Sequence, residues 1–188
     1  MSNPVSFSEQ VRDSAQCIAE SGAPALSGLY DLTSMRLVRF SVTITRNQHD
    51  AEDAVQAALV RVVGNPKLLI RADSPWPYLL QMVRNESLVI LRRKRRRAIV
   101  SNLTDLLTHR SVDEVVQEES YRAVWLAIRS LPAEQSEVVV LKIWEELTFC
   151  QIADVLGVPV ATAASRYRYA MQKLASELRS QAAEVFHD

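Results

Sequence analysis

Hydrophobic positions recur at helical spacing along most of the chain, and the clearest case is the segment 76–97. One face of that segment is apolar at i, i+4, i+7 and i+11 spacing, which is typical of a helix packed on a core. Its members are Leu79, Leu80, Val83, Ser87, Ile90 and Leu91. A second stripe, roughly opposite, holds Tyr78, Met82, Asn85 and Val89. The pattern predicts a helix that packs on one side and offers apolar and amide groups on the other.

Shorter helices are predicted before this segment. Residues 1–24 form an N-terminal extension in which Ser6 and Glu9 make a possible capping box, and the sequence Gly-Ala-Pro from Gly22 ends the helix. A second helix is expected over 25–46, and a third over about 50–63, capped by Asn47 or Asp50. We assign no function to the extension.

The third helix has two contrasting faces. The core face is predicted to hold Ala51, Val55, Ala58, Leu59 and Val62, and the opposite face holds Asp53, Gln56, Ala57 and Val60. An alanine and a valine opposite a core face are unusual on a solvated helix, although single exposed apolar residues carry no meaning. The face is therefore either a docking patch or ordinary surface.

The segment 64–77 contains three of the seven prolines and is predicted to be a loop that carries Trp76. A tryptophan beside a basic helix is either a lid on the core or a platform on which an unpaired base stacks. Both interpretations remain open from the sequence.

The second half of the chain contains the most specific local pattern. After an acidic linker over 99–119, helices are predicted from 120 and over about 133–146. Thr148 and Gln151 form a capping box, Ala153 is small enough for a close crossing, and Gly157 suits a sharp turn before Pro159. This pattern predicts a helix-turn-helix rather than an ordinary helical hairpin. The outward face of its last helix offers groups for base edges and phosphates, namely Thr162, Ser165, Arg168 and Tyr169, with Arg166 on its flank.

Charge is strongly segregated although the formal net charge is zero. Residues 25–98 carry 13 lysines and arginines against 6 acids, whereas 99–120 carry one arginine against five acids. Six consecutive basic residues run from Arg92 to Arg97. They are either a solvated helix end or a site for nucleic-acid phosphate, and their mutual repulsion favours phosphate.

The helical patterns and the segregation of charge predict an all-α protein of two small helical domains, 25–98 and 120–182, joined by a flexible acidic linker. No phosphate-binding glycine motif and no metal-ligand spacing occurs, and the three histidines are scattered. We therefore expect no enzyme activity, no cofactor and no metal. Cys17 and Cys150 are expected to be free thiols in a cytoplasmic protein, because no signal peptide or membrane span is evident.

Three segments in this order resemble the extracytoplasmic-function (ECF) group of bacterial RNA polymerase sigma factors. They are HDAEDAVQAALVRVV, YLLQMVRNESLVILRRKRRR and the string from Leu131 to Leu174 that contains LTFCQIADVLGVPVATAASRYRYAMQKL. The resemblance implies that the first binds the β′ clamp helices of core polymerase through Asp53, Gln56, Ala57 and Val60. It implies that the second melts the minus-ten element, and that the third reads the minus-thirty-five element and meets the β flap.

The resemblance implies specific roles and also shows departures. The minus-ten residues would be Trp76, Tyr78, Asn85, Arg92, Arg93, Arg95 and Arg96, and the minus-thirty-five residues would be Thr162, Ser165, Arg166, Arg168 and Tyr169. Tyr78 stands where the family usually has Trp, and Ala57, Val89 and Ala164 replace a usual Glu, Asp and Lys. Partners would be core RNA polymerase, promoter DNA and, in some members, an anti-sigma factor.

Two other interpretations remain. A stand-alone helix-turn-helix regulator would bind duplex sites without polymerase, and a helical adaptor would bind RNA or acidic lipid regardless of promoter sequence. Co-purification with core polymerase separates these interpretations from a sigma factor.

Overall fold

The computed structural model describes residues 6–100 and 119–185, and every regular element within those ranges is helical. The chain divides into two compact units, residues 1–110 and 111–188. The first contains α1 Phe7–Ser21, α2 Leu26–Thr45, α3 Gln48–Gly64, α4 Lys67–Ile70 and α5 Pro75–Val100. The second contains α6 Glu119–Ser130, α7 Ala133–Ile143, α8 Phe149–Leu156 and α9 Val160–Val185. The all-α prediction is thus confirmed for these ranges, and none of their helices is both long and apolar enough to span a membrane.

The predicted linker, 99–119, lies outside the described residues except at its two ends. Those ends belong to helices, since α5 continues to Val100 and α6 begins at Glu119.

The N-terminal helix α1 begins and ends as the sequence predicts. The backbone N–H of Glu9 donates to Ser6 Oγ at 3.2 Å, and the N–H of Ser6 donates to Glu9 Oε2 at 2.7 Å. The hydrogen bond from the Ser6 backbone lowers the pKa of the Glu9 carboxyl. Gly22 ends the helix with φ 72° and ψ −156°, a conformation that only glycine adopts readily. Val11, Ala15 and Ile18 are buried, so α1 packs on the body of the unit.

Helices α2, α3 and α5 form the core of the first unit. The buried side of α3 carries three fully buried alanines, Ala51, Ala54 and Ala58, which let its neighbours approach closely. Ser41 of α2 and Ser87 of α5 are both fully buried, and their hydroxyls lie 2.8 Å apart. This hydrogen bond satisfies two polar groups that would be costly to bury alone.

The predicted loop 64–77 contains structure that the sequence did not suggest. A single turn, α4, forms within it, and α5 begins at Pro75. Both Pro75 and Pro77 lie in the first turn of α5, where backbone N–H groups have no intrahelical acceptor, so a missing N–H costs nothing. Trp76 therefore lies in a helix and not on a loop.

The second unit contains the predicted helix-turn-helix, formed by α8 and α9. Thr148 and Gln151 make the capping box, and Gly157 ends α8 in the left-handed region with φ 65° and ψ 41°. Helix α7 ends at Ile143, three residues before the predicted end, and Glu146 takes a positive φ of 56°. Trp125 and Trp144 meet edge to face with centroids 6.3 Å apart in the core of this unit.

Candidate nucleic-acid interface

Met82, predicted on the same stripe as Tyr78 and Asn85, is only 4% exposed and belongs to the core. The accessible part of this side of α5 is a strip that we call the strand face, made of Tyr78, Asn85, Arg92 and Arg96. Helical geometry places these residues within about 40° of one another around the axis. Tyr78 is half-buried, whereas Asn85 and the tract from Arg92 to Arg97 are exposed. The strand face thus begins with an aromatic ring, continues with an amide and ends in cations.

Trp76 lies on the other side of α5, and the structure corrects its interpretation as a stacking platform. Its side chain is only 2% exposed. The ring of Phe7 meets it edge-on at 4.8 Å, and the Arg36 guanidinium lies 4.0 Å from the Phe7 centroid and 5.1 Å from the Trp76 ring. Trp76 continues the core stripe of Leu80 and Val83, so it is a lid on the core. Tyr78 is left as the aromatic group that an unpaired base could reach.

One cation of the basic tract is used within the protein. Lys94 Nζ lies 2.6 Å from Asp50 Oδ2, and the Asp50 side chain is only 10% exposed. Asp50 is in the first turn of α3, where the helix dipole favours a carboxylate, and its N–H donates to Asn47 Oδ1 at 3.0 Å. All six members of the tract are exposed, with 55% of the Lys94 side chain accessible despite this contact.

The predicted core face of α3 is confirmed, and the opposite face is accessible. All five predicted core residues are buried. On the other side Asp53, Gln56 and Val60 are exposed and Ala57 is half-buried, and we call these four residues the α3 patch. Val60 is 67% exposed and lies beside the half-buried Ala57.

Helix α9 presents the predicted polar face, and Arg166 beside it is partly buried. Arg168 and Tyr169 are exposed, with the guanidinium 5.2 Å from the tyrosine ring. Thr162 and Ser165 are half-buried, and Ser165 Oγ donates to the Thr162 carbonyl at 3.0 Å. Arg166 is 24% exposed because its Nη2 lies 3.0 Å from Glu134 Oε2 at the start of α7.

Comparison with known proteins assigns both units to one family. Residues 29–97 match the family described as Sigma-70 region 2, and residues 121–174 match Sigma-70, region 4. ECF sigma factor SigW of Bacillus subtilis is 25% identical over 169 residues, covering 82% of this chain and 89% of that protein. SigL of Mycobacterium tuberculosis is 28% identical over 161 residues, covering 83% and 90%. The chain belongs to the ECF sigma factors.

A solved structure shows the same fold. The sigma factor RpoE of Bartonella quintana, determined in complex with the anti-sigma factor NepR, superposes with a TM-score of 0.64. It shares 19% sequence identity, and the match covers 89% of this sigma factor and 98% of that chain.

Sequence reasoning missed ion pairs of this sigma factor, namely Asp50 with Lys94, Arg61 with Glu86 and Glu134 with Arg166. Each joins residues far apart in the chain, so no local spacing signals it. Within the described ranges no cluster of histidine, cysteine or acidic side chains is arranged to hold a metal ion.

Proposed function

We propose that this sigma factor directs core RNA polymerase to promoters through three separate surfaces. The α3 patch binds the polymerase, the strand face of α5 takes the opened minus-ten strand, and α9 reads the minus-thirty-five duplex. The observation that carries the proposal is the two-sided arrangement of the first unit. Its core residues point inward while an apolar patch on α3 and an aromatic-to-cationic strip on α5 remain accessible.

The α3 patch suits a helical partner such as the β′ clamp helices. Val60 and Ala57 supply apolar area, and Asp53 and Gln56 supply polar groups that fix orientation at its edge. Hydrophobic anchors with a polar rim are typical of such interfaces. The second unit is proposed to meet the β flap, as the family resemblance implies.

The strand face combines the two contributions that opening requires. Unstacking a base costs a few kcal/mol, and stacking on an aromatic ring returns about 1–3 kcal/mol per base. Tyr78 supplies the ring, Asn85 an amide for base edges, and Arg92 and Arg96 cations for phosphate. Arg93 and Arg95, which lie beside this strip in the basic tract, add two further cations. The arginines lie about 20–30 Å along the helix from Tyr78, so they hold backbone that flanks the opened bases.

Helix α9 is suited to closed duplex. Thr162, Ser165, Arg168 and Tyr169 offer the hydroxyl and guanidinium donors that reach base edges and phosphates in a major groove. Arg166 is paired with Glu134, which is itself 66% exposed. In the complex a phosphate would compete with this carboxylate for the same guanidinium.

We further propose that the functional domains are 25–98 and 120–182, with 99–119 as their linker. The protein acts in the cytoplasm by binding alone and has no catalytic activity of its own. Since the structurally similar RpoE of Bartonella quintana binds an anti-sigma factor, an anti-sigma protein is a candidate partner here as well.

Reconstitution tests the proposal. Core polymerase is mixed with the purified protein, genomic fragments are selected by binding, and run-off transcription is measured from them. We expect defined start sites that require the protein. Selection of the same fragments without polymerase, at equal affinity, would instead support a stand-alone regulator.

A further inference from the structure

The buried side of α3 combines small and large apolar residues where it faces its neighbours in the first unit. Ala51, Ala54 and Ala58 are all fully buried there. Helices normally lock their register by fitting large side chains of one into grooves of the other. The alanines permit close approach between the buried side chains of Val55, Leu59 and Val62. Ionic contacts between α3 and α5 add to this apolar packing in resisting sliding and rotation of α5 on α3.

Ionic contacts join α3 and α5 at two separated places among the described residues. Asp50 of α3 is joined to Lys94 of α5 at 2.6 Å, and Arg61 of α3 is joined to Glu86 of α5 at 2.8 Å. The contacts lie about 16 Å apart along α3 and about 12 Å apart along α5, from the rise per residue. Two contacts that lie apart along antiparallel helices fix the axial register of one helix on the other and also its rotation about its own axis.

We infer that Lys94 is a positioning residue: through Asp50, and together with the pair Arg61–Glu86, it sets the register of α5 on α3. The consequence concerns the two outward surfaces that those helices carry. The α3 patch and the strand face then keep a fixed orientation relative to each other. Binding of polymerase to the α3 patch therefore places the strand face against DNA. The inference rests on the proposed function, because it assigns a purpose to that orientation.

The same contact removes Lys94 from the set of phosphate-binding groups. A lysine in a basic tract would ordinarily be counted as a DNA contact, but this ammonium lies against a carboxylate that is almost entirely buried. If the Lys94 ammonium moved away to bind a phosphate, the Asp50 carboxylate would remain buried without its cation, which is strongly unfavourable. Arg95, the adjacent exposed cation, has no such constraint in the contacts of the described residues and serves as the matched control.

The test compares Lys94→Gln with Arg95→Gln in holoenzyme on a promoter fragment selected as above. Salt dependence of promoter binding and permanganate reactivity of thymines are both measured. For Lys94→Gln we expect an unchanged log–log salt slope and a several-fold loss of strand opening. For Arg95→Gln we expect a slope shallower by up to ~0.9, since one phosphate contact is lost.

Three further variants separate positioning from a loss of folding. Lys94→Arg keeps a cation that can reach Asp50 and should restore opening. Asp50→Asn should lower strand opening as Lys94→Gln does. The double variant that combines Lys94→Gln with Asp50→Asn should open the promoter no less than either single variant, because both substitutions remove the same interaction. Thermal unfolding of the unbound protein is followed in parallel, and opening is compared at temperatures where each variant is fully folded.

The inference is overturned if Lys94→Gln reduces the salt slope as much as Arg95→Gln, or if it opens the promoter as the wild type does. Defects that add in the double variant would overturn it too. These outcomes differ from failure of the proposed function, in which the wild-type protein itself would not recruit polymerase to any fragment.

Discussion

The ring of Phe7 lies at 79° to the ring of Trp76, with 4.8 Å between the centroids. This contact ties the N-terminal helix α1 to the first turn of α5. Arg12 of α1 adds to it by donating from Nη2 to the carbonyl of Ala72 at 2.9 Å, in the segment just before α5. The segment assigned no function from the sequence therefore covers the beginning of the helix that carries the strand face.

Trp76 and Tyr78 are predicted to have different effects when replaced by alanine. Trp76→Ala empties a buried site and should destabilise the protein by about 3–5 kcal/mol, as large aromatic truncations do. Tyr78→Ala removes a half-buried ring of the strand face and should mainly lower permanganate reactivity at the promoter. Thermal unfolding and permanganate footprinting of both variants measure the difference.

A template with a pre-melted bubble provides the control for this pair. It should rescue transcription by Tyr78→Ala, because the cost of strand opening has been removed. A Trp76→Ala protein with normal unfolding but defective opening would show that the buried ring becomes exposed to DNA during initiation.

Polymerase binding is predicted to depend on the α3 patch. Asp53→Arg combined with Gln56→Ala should abolish the complex with core polymerase, because both side chains oppose the buried face of α3. The free energy of unfolding should change by no more than about 0.5 kcal/mol, as is usual for exposed positions. Asp31→Arg, a charge reversal at an exposed position of α2, is the matched control. A normal complex from the double variant would locate the polymerase contact elsewhere.

The arginines of the basic tract should determine salt sensitivity. Replacing Arg92, Arg93, Arg95 and Arg96 by alanine removes up to four phosphate contacts. The log–log slope of promoter binding against salt should become shallower by up to ~0.9 per lost contact on duplex and ~0.7 on single strand. An unchanged slope would identify these residues as a solvated helix end.

In the second unit, Arg168→Ala and Arg166→Ala should weaken recruitment to duplex promoter, and a pre-melted bubble should rescue neither. Glu134→Gln distinguishes the two arginines. It frees the guanidinium of Arg166, and it should strengthen recruitment if that group meets a phosphate. Weaker recruitment by Glu134→Gln would show that the ion pair instead holds α9 in place. Filter binding with holoenzyme measures all three variants.

Local spacing predicted much of this fold because each helix carries its own pattern. The two faces of α3 and the capping box and turn of the helix-turn-helix needed no information from elsewhere in the chain. The sequence placed Trp76 both at the start of the helical segment 76–97 and in the loop 64–77, because Pro75 and Pro77 usually mark loops yet are harmless in a first helical turn. Extending the core stripe of Leu80, Val83 and Ser87 back by one turn would have placed Trp76 on it.

The details of the candidate site depended on contacts that no local pattern contains. Lys94 and Arg95 are adjacent, chemically alike and both exposed, yet only the fold shows that the Lys94 ammonium lies against Asp50. The ion pair of the partly buried Arg166 likewise depends on Glu134, a residue of another helix. Helical periodicity predicts which face a residue occupies, but it does not predict its partner.

The turn at Gly157 has a consequence for how the helix-turn-helix tolerates change. A Cβ atom built there meets nothing within 4 Å, and the left-handed φ of 65° is therefore the whole constraint. At Gly157 an L-residue is therefore disfavoured by the backbone conformation, although there is space for its Cβ atom. A D-alanine introduced by chemical synthesis should fit without distortion, whereas its L-enantiomer, with identical volume, would strain the junction of α8 and α9.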